Sequence, residues 1–427
     1  MSTLILPLSD PAATVPDRVG PKAANLASLA HAGLPTPGGF CITADAYRRQ
    51  IAHLGLNDLL REYPQADELV QRRIAVEIRL KLYQSDLAPD VLAEVLTAWW
   101  AEPKPAAVRS SSLVEDRVDS SFAGQFESFL GVVDDAEFLT ALRACWAALW
   151  TTTARRSMAQ HDLDPADTAM AVLVQPLIAA RASGGGLSET ADGQMLLSAT
   201  WGLGTAIAQG EVVPDRIVLT RHGFLRSNDA GRKNHREACG HGAGNDGGTS
   251  LQAVPEALVA APCLEAGQAT ALGRLMRKAE DVLGMPVEIE WALDEVGFKL
   301  LQARPLHTQP AYVPEEIWLK HPGLSGHPAG IGWGSGRAVV INCECELSRV
   351  APGDILVTRV AGPALSHILP RVAGVVAELG GSTSHMASLA RERGIPMVLG
   401  VLDATQRIPD GAQVAVDGVA GVVRWHA

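Results

Sequence analysis

The chain lacks the features of several specialised classes of protein. Its 427 residues contain only six cysteines, scattered and without a secretion signal, so we expect reduced thiols rather than a disulfide framework. Cys343 and Cys345 are too closely spaced for the usual zinc knuckle, and we expect reduced thiols there as well. Charges interrupt every apolar stretch before membrane-spanning length, and no long basic run accompanies the net charge of −11. The sequence therefore predicts neither a membrane partner nor a nucleic-acid partner.

Two further properties concern location and domain organisation. Residues 1–7 lack the basic start and the long apolar core of a signal peptide, so we expect a cytoplasmic protein. The length is enough for two or three domains with a sizeable core. Residues 307–336 are rich in proline and glycine, which predicts a linker. An extended linker of this length could span on the order of 100 Å, a reach that suits a swinging domain.

A strand, a glycine turn and a helix are predicted around one histidine. The apolar run 372–377 indicates a buried strand, and Gly380 and Gly381 permit a tight turn after it. The hydroxyl residues 382–384 suit a helix N-cap, which places His385 in the first helical turn. Helix N-termini favour anions, and a neutral imidazole is a nucleophile near pH 7. The residues alone leave two hypotheses open, a capping histidine and a nucleophile that accepts a phosphoryl group.

Three stretches of the N-terminal part carry side chains that suit a nucleotide. Lys22 lies at the entrance of a predicted helix, and Arg109 lies in a predicted strand before a hydroxyl-rich turn. Residues 120–131 combine small residues with aromatics, which suits a loop whose backbone N–H groups hold phosphates. Gln175 interrupts an apolar strand. The structural alternatives are a solvated lysine, an ordinary loop and an edge-strand glutamine.

A predicted hairpin brings charged and amide side chains together. Residues 286–294 and 298–305 read as two strands joined by a turn at Gly297. Alternation places Glu288 and Glu290 on one face of the first strand, and Gln302 and Arg304 on one face of the second. Carboxylate and amide oxygens suit Mg²⁺, and arginine binds phosphate through two parallel hydrogen bonds. The alternative is a salt-bridge ladder on the surface.

These motifs resemble those of the phosphoenolpyruvate-utilising enzymes, which include phosphoenolpyruvate synthase, pyruvate phosphate dikinase and rifampicin phosphotransferase. Residues 380–401 resemble the phosphohistidine segment of that family, and residues 20–40 its N-terminal signature. Residues 106–132 and the hairpin resemble its ATP-grasp part. Two positions depart from the usual pattern: Pro21 replaces a glycine, and Thr205 stands where relatives commonly have glutamate.

The resemblance implies a role for individual residues. His385 would carry the phosphoryl group, and Thr383 matches the place of a regulatory threonine in some members. Mg²⁺ would be bound by Glu290 and Gln302. The implied ATP-binding residues are Lys22, Arg109, Gly124, Ser128, Gln175, Glu290, Gln302 and Arg304.

The resemblance also implies a multidomain α+β and α/β fold. An ATP-grasp nucleotide-binding domain at 1–306 would precede the linker at 307–336 and a β/β/α swivelling phosphohistidine domain at 337–427. The implied enzyme is a dikinase-type phosphotransferase in which ATP phosphorylates His385 with release of AMP. The phosphorylated domain would then donate to an acceptor whose identity the sequence does not give.

The place of the acceptor is a separate expectation. Relatives that make phosphoenolpyruvate carry a C-terminal barrel for pyruvate, and the present sequence shows no such barrel after the phosphohistidine domain. We therefore expect the acceptor on a separate subunit. One alternative is a self-contained kinase for an antibiotic or metabolite, with the acceptor bound between the two domains. Another is a non-catalytic regulator, against which retention of the implied site residues argues.

Overall fold

The computed structural model describes residues 3–114, 128–159, 161–190, 193–239, 248–306 and 323–426. The chain forms two compact units. Unit 1 is Met1–Ala179, Cys239–Ser250 and Lys299–Arg304, and unit 2 is Ala180–Ala238, Leu251–Phe298 and Pro305–Ala427. Residues 1–306, predicted as one domain, therefore contribute to both units.

Unit 1 combines a five-stranded sheet with seven α-helices among its described residues. The strands are β1 (Ile5–Pro7), β2 (Phe40–Ile42), β3 (Ala106–Ser112), β4 (Ser128–Val132) and β5 (Met170–Pro176). The helices are α1 (Pro16–His31), α2 (Ala44–His53), α3 (Asn57–Glu62), α4 (Glu68–Gln84), α5 (Pro89–Ala101), α6 (Asp135–Ala148) and α7 (Thr152–Ala159). The antiparallel sheet has the order β1-β2-β5-β3-β4.

Side chains alternate along β5, so they point to both faces of the sheet, and an apolar cluster covers each face. Val172 and Val174 belong to a large apolar cluster with residues of α2, α4, α5 and α6. Ala171 and Leu173 belong to a second cluster with α1. In the first cluster the rings of Trp99 and Phe138 stack with centroids 4.4 Å apart, as expected for buried aromatic side chains of this size.

The rest of the chain contains the remaining strands and helices. The strands are β6 (Ala182–Leu187), β7 (Gln194–Trp201), β8 (Asp215–Thr220), β9 (Leu225–Asp229), β10 (His235–Cys239), β11 (Thr249–Ala253), β12 (Val287–Leu293), β13 (Phe298–Pro305), β14 (Gly323–Ser325), β15 (His327–Pro328), β16 (Trp333–Ile341), β17 (Ile355–Thr358), β18 (Gly374–Ala377), β19 (Met397–Leu399), β20 (Gln413–Asp417) and β21 (Val422–His426). The helices are α8 (Thr205–Ala208), α9 (Glu256–Val259), α10 (Ala266–Leu283), α11 (His385–Glu392) and α12 (Ala404–Arg407).

Strands β12, β6, β7, β8 and β9, neighbours in that order in a six-stranded sheet, form the first half of unit 2, whereas Lys299–Arg304 of β13 belong to unit 1. One face is apolar and packs against α10: a side chain at Gly186 would meet Leu197, Met276 and Ile289. The opposite face carries polar residues because the pairing places Glu290 opposite Gly185, and Gly185 opposite Ser198. We call the face that carries Glu288, Glu290, Gly185, Ser198 and Arg216 the polar face.

An eight-stranded sheet in the order β14-β21-β20-β16-β17-β18-β19-β15 forms the second half of unit 2. Strands β16 to β19 are parallel neighbours, and the outer pairs are antiparallel. Helix α11 packs on one face in an apolar cluster that includes Val375, Met386 and Leu389. The predicted order of strand 372–377 and following helix is confirmed by β18 and α11.

The predicted linker at 307–336 is wrong for its described part. Residues 323–336 contain β14, β15 and the start of β16, while 307–322 lie outside the described residues. The glycines here serve close packing rather than flexibility. A Cβ at Gly330 would lie 2.0 Å from the Ile395 carbonyl oxygen, and one at Gly334 would lie 2.0 Å from that of Ala373.

The prediction of six reduced thiols is wrong for one pair. Cys343 and Cys345 form a disulfide, with Cα atoms 5.3 Å apart, within the distance range that such bonds require. Separation by a single residue rules out a zinc knuckle but not a disulfide. The other four cysteines are free thiols, as expected. Over the described ranges, no helix is both long enough and apolar enough to cross a membrane.

Candidate functional site

His385 is the first residue of α11 and is exposed, whereas residues 386–391 behind it are buried. Ser384 is the N-cap, and its Oγ accepts a hydrogen bond from the Ala387 backbone N–H at 3.2 Å. The turn before it depends on Gly380, whose φ of +98° favours glycine. The local structure predicted around His385 is therefore confirmed, and the imidazole lies beside the electropositive end of a helix.

The loop before His385 is packed on the polar face of unit 2. A Cβ at Gly185 would lie 2.5 Å from the Cβ of Thr383, so the absence of a side chain there admits the threonine. Gly381 packs equally closely on Pro214, and the Gly380 N–H donates to the Val212 carbonyl at 3.0 Å. These contacts place the loop on the sheet face that carries Glu290, which is partly buried.

Unit 1 places four predicted site residues, Lys22, Arg109, Gln302 and Arg304, on or beside strands β3 and β13. Arg109 on β3 donates from Nη2 to Gln302 Oε1 at 2.8 Å and from Nη1 to the Leu301 carbonyl at 3.0 Å. Arg304 follows Gln302 by two residues on β13 and so shares its face. Lys22 Nζ donates to the carbonyl of Ser110, the residue after Arg109, at 2.8 Å.

The position of Lys22 depends on a break in α1. Gly20 has a φ of +77°, and a Cβ there would lie 2.4 Å from Ser111 Oγ. Glycine therefore permits both the kink and the contact with β3. Pro21 is tolerated because it opens the helical segment that follows, where its missing N–H costs no hydrogen bond. The departure at Pro21 is thus compatible with the local fold.

The remaining predicted residues have different surroundings. Gln175 on β5 is buried, and its Nε2 donates to the Gly38 carbonyl at 3.0 Å. Ser128 opens β4, is exposed and pairs with Arg109 across the strands. Gly124 lies outside the described residues. The contacts of these three residues with ATP stay predictions.

The predicted Mg²⁺ ligands are compatible with a weakly ligated ion. Within the described ranges, no three His, Cys, Asp or Glu side chains group closely enough to hold a metal ion. Mg²⁺ commonly keeps several water ligands and takes few protein oxygens. The amide oxygen of Gln302 accepts a hydrogen bond from Arg109 Nη2 at 2.8 Å. Carboxylate and amide oxygens are donor types that Mg²⁺ takes, so the chemistry of these two residue types is compatible with the ion.

A buried histidine lies in unit 2 beside the loop that bears His385. His327 on β15 contacts Gly400, where a Cβ would lie 2.7 Å from its Cδ2. Burial, with a smaller contribution from the charge of Arg216, lowers the pKa of His327 to about 4. His327 is therefore neutral at pH 7.

Sequence reasoning missed three residues beneath His385: Arg391, Ser388 and the role of Glu288. Arg391 Nη2 lies 2.8 Å from Glu288 Oε2, and both side chains are buried. The signal was present in the helical pattern, since Arg391 shares a buried stretch with Met386, Leu389 and Ala390. A charged residue in such a stretch requires a partner.

Two family models match the chain. The model of the pyruvate phosphate dikinase AMP/ATP-binding domain matches residues 16–318, and that of the PEP-utilising enzyme mobile domain matches residues 350–421. The chain belongs to the pyruvate phosphate dikinase AMP/ATP-binding domain family. The first match contains Lys22, Arg109 and Glu290, and the second contains His385. The predicted multidomain fold, an ATP-binding domain followed by a mobile domain, is confirmed at this level.

Individual relatives carry the name phosphoenolpyruvate synthase. The chain is 31% identical over 423 residues to a probable phosphoenolpyruvate synthase of Methanothermobacter thermautotrophicus, covering 95% of the chain and 61% of the relative. It is 30% identical to the phosphoenolpyruvate synthase of Pyrococcus furiosus and 32% identical to a probable one of Archaeoglobus fulgidus. These alignments cover 95% of the chain and 56% of each relative. The chain thus spans less than two thirds of these relatives.

Proposed function

We propose that this chain is a dikinase-type phosphotransferase in which ATP phosphorylates His385 and AMP is released. The observation that carries the proposal is the exposed His385 at the N-terminus of α11, on a loop packed against the polar face that carries Glu290. Matches to an AMP/ATP-binding domain and to a mobile domain in one chain support a shared nucleotide chemistry.

The residues of unit 1 would bind the polyphosphate. Arg109 and Arg304 are charged donors, and a guanidinium pairs with phosphate oxygens through two parallel hydrogen bonds. The buried amine of Lys22 is held beside Arg109 through Ser110 and would add a third positive charge. Glu290 and Gln302 would hold Mg²⁺, which neutralises phosphate charge when bound.

The imidazole of His385 would attack the β-phosphorus of ATP. The new N–P bond forms as the bond to the oxygen between the α- and β-phosphates breaks, and AMP leaves with that oxygen. Water or inorganic phosphate then takes the terminal phosphoryl group. Such transfers depend chiefly on alignment of the reacting groups and on charge neutralisation. An exposed His385 at the N-terminus of α11 is accessible to the phosphate and lies beside the positive end of the helix dipole.

The proposals for transfer to the acceptor and for the cellular location are based on the sequence. In this proposal, donation from phosphorylated His385 to an acceptor requires movement of residues 350–421, the part that matches the mobile-domain model. A separate acceptor-binding subunit, an unknown acceptor and cytoplasmic location stay predictions. Adding candidate acceptors and partner chains to the phosphorylated protein tests the first two, since a productive partner accelerates loss of the label.

Mapping the label tests the central residue. After incubation with ATP and Mg²⁺, peptide mass spectrometry should find the phosphoryl group on His385, and His385→Asn should abolish it. His367→Asn is a matched control because His367 is an exposed histidine of the same unit. Label that persists in His385→Asn, or that disappears in His367→Asn, would contradict the assignment.

A further inference from the structure

A buried ion pair joins the helix that bears His385 to the strand that bears Glu290. Arg391 on α11 and Glu288 on β12 are 2.8 Å apart, with side chains only 6% and 8% exposed. Ser388 Oγ donates to the same carboxylate, 3.2 and 3.3 Å from its two oxygens. Arg391 also donates to the carbonyls of Ser382 and Ala329, which ties the loop before His385 to the helix after it.

The packing of α11 on the polar face of the six-stranded sheet and the formation of the Glu288–Arg391 pair depend on each other. A buried charge is costly unless it is paired, and loss of one partner leaves the other uncompensated. Glu288 lies on β12 of the six-stranded sheet, whereas Arg391 lies on α11, which packs on the eight-stranded sheet of the same unit, so the pair forms when α11 lies on the polar face. Removal of either side chain should therefore weaken the packing of α11.

The other polar groups between the His385 loop and the polar face hold the two together more weakly than the ion pair does. Among the described residues, Ser198 Oγ, Ser382 Oγ and Thr383 Oγ1 are buried without a hydrogen-bond partner. Gly185 and Gly381 contribute shape but no side chain. Unpaired hydroxyls add little to association, because their desolvation is not compensated. The charged pair and Ser388 thus supply strong polar contacts on a surface of small residues.

The spacing along β12 links this pair to the candidate metal ligand. Glu288 and Glu290 are two residues apart on the same face, a distance of about 7 Å along a strand. We propose that Glu288 is a positioning residue whose ion pair with Arg391 fixes α11, and with it His385, relative to Glu290. This proposal rests on the proposed function for its catalytic consequence, but the positioning of α11 can be measured without ATP.

The test is a double-mutant cycle with two readouts. The variants are Glu288→Gln, Arg391→Met and the double variant, and the control is Arg349→Met, which disrupts an exposed pair with Asp410 in the same unit. Hydrogen–deuterium exchange of peptides covering 382–392 reports the packing of α11 without nucleotide. The rate of His385 labelling and the affinity for ATP report function.

The expected pattern is specific to positioning. Each single variant should raise exchange in 382–392 by about tenfold, and the double variant should do so no further than a single one. Labelling should slow while ATP affinity stays unchanged, and Arg349→Met should change neither. Unchanged exchange in both single variants, or additive effects in the double variant, would overturn the proposal. Wild-type protein that fails to label at all would refute the proposed function and leave the exchange result to decide this inference.

Discussion

At the scale of single residues, the candidate nucleotide site depends on side chains that are distant in sequence. Arg109 and Gln302 are separated by 193 positions yet meet at 2.8 Å. The amide oxygen gains a charged donor, and Gln302 is held in a fixed orientation. A preorganised donor stabilises developing charge more than a mobile one does. The contributions of Glu290 and Arg304 to His385 labelling can be tested by substitution.

Glu290→Ala and Arg304→Ala should each reduce His385 labelling by about 100-fold, because each removes a charge that the proposed function assigns to ATP and Mg²⁺ binding. Neither side chain belongs to the apolar core, so the unfolding temperature should stay close to that of wild type. Glu295→Ala is the matched control, since Glu295 is an exposed residue of the same hairpin turn. Labelling at the wild-type rate in both variants would contradict the nucleotide-binding role and favour the alternative interpretation of the hairpin as a salt-bridge ladder.

A second residue-scale prediction concerns Gly185. Gly185→Ala should slow labelling, because the new Cβ would overlap Thr383 at 2.5 Å and displace the loop before His385. The double variant with Thr383→Gly removes the clashing atoms and should recover part of the rate. Labelling kinetics of the two variants provide the measurement. A Gly185→Ala protein with the wild-type rate would show that the loop need not lie on the polar face.

Residue types and local spacing could be predicted at this scale, whereas partners could not. The N-cap at Ser384 follows from a hydroxyl residue before a helical pattern, a local rule. The partner of Glu288 could not be deduced, because alternation places its carboxylate on a face without saying what covers that face. Arg391, 103 positions away, is brought there by tertiary packing.

At the scale of elements, β15 contains His327, a buried histidine that is neutral in the folded protein. His327 has an ordinary pKa of 6.5 when unfolded and one of about 4 in the fold, so its neutral form is stabilised by folding. Stability from this group is full above pH 6.5 and is lost as the pH falls towards 4, by about 3 kcal/mol in all. His327→Gln should flatten the fall in thermal midpoint between pH 6.5 and 4.5.

The control for this prediction is His367→Asn, in which an exposed histidine is replaced and the pH dependence should stay as in wild type. Equal slopes of midpoint against pH in wild type and His327→Gln would contradict the account. Circular dichroism melts at half-unit pH intervals provide the data.

Prediction of elements succeeded where the hydrophobic pattern was clear and failed where it relied on glycine and proline content. The alternating run that became β12 indicates a strand through its side-chain spacing, and the short apolar run that became β18 indicates a buried strand that is followed by residues at helical spacing. Gly330 and Gly334 suggested a linker by composition, yet they lie against the backbone of neighbouring segments. Composition cannot separate a flexible glycine from one that permits close packing.

At the scale of the whole molecule, the predicted site residues are divided between the two units. Lys22, Arg109 and Gln302 belong to unit 1, whereas Glu290 and His385 belong to unit 2. Sequence could predict that an ATP-binding part precedes a mobile part, because each part has its own motifs. It could not predict that the compact units divide residues 1–306 between them, since that division depends on tertiary contacts.

The measurement that tests the central claim most directly is a single-turnover reaction of the purified chain with ATP and Mg²⁺. Nucleotide products and phosphohistidine are quantified together over time. The account predicts that AMP and phosphorylated His385 appear in equal amounts and at equal rates, and that His385→Asn forms neither. Label on His385 accompanied by an equal amount of ADP, with no AMP, would contradict the dikinase chemistry.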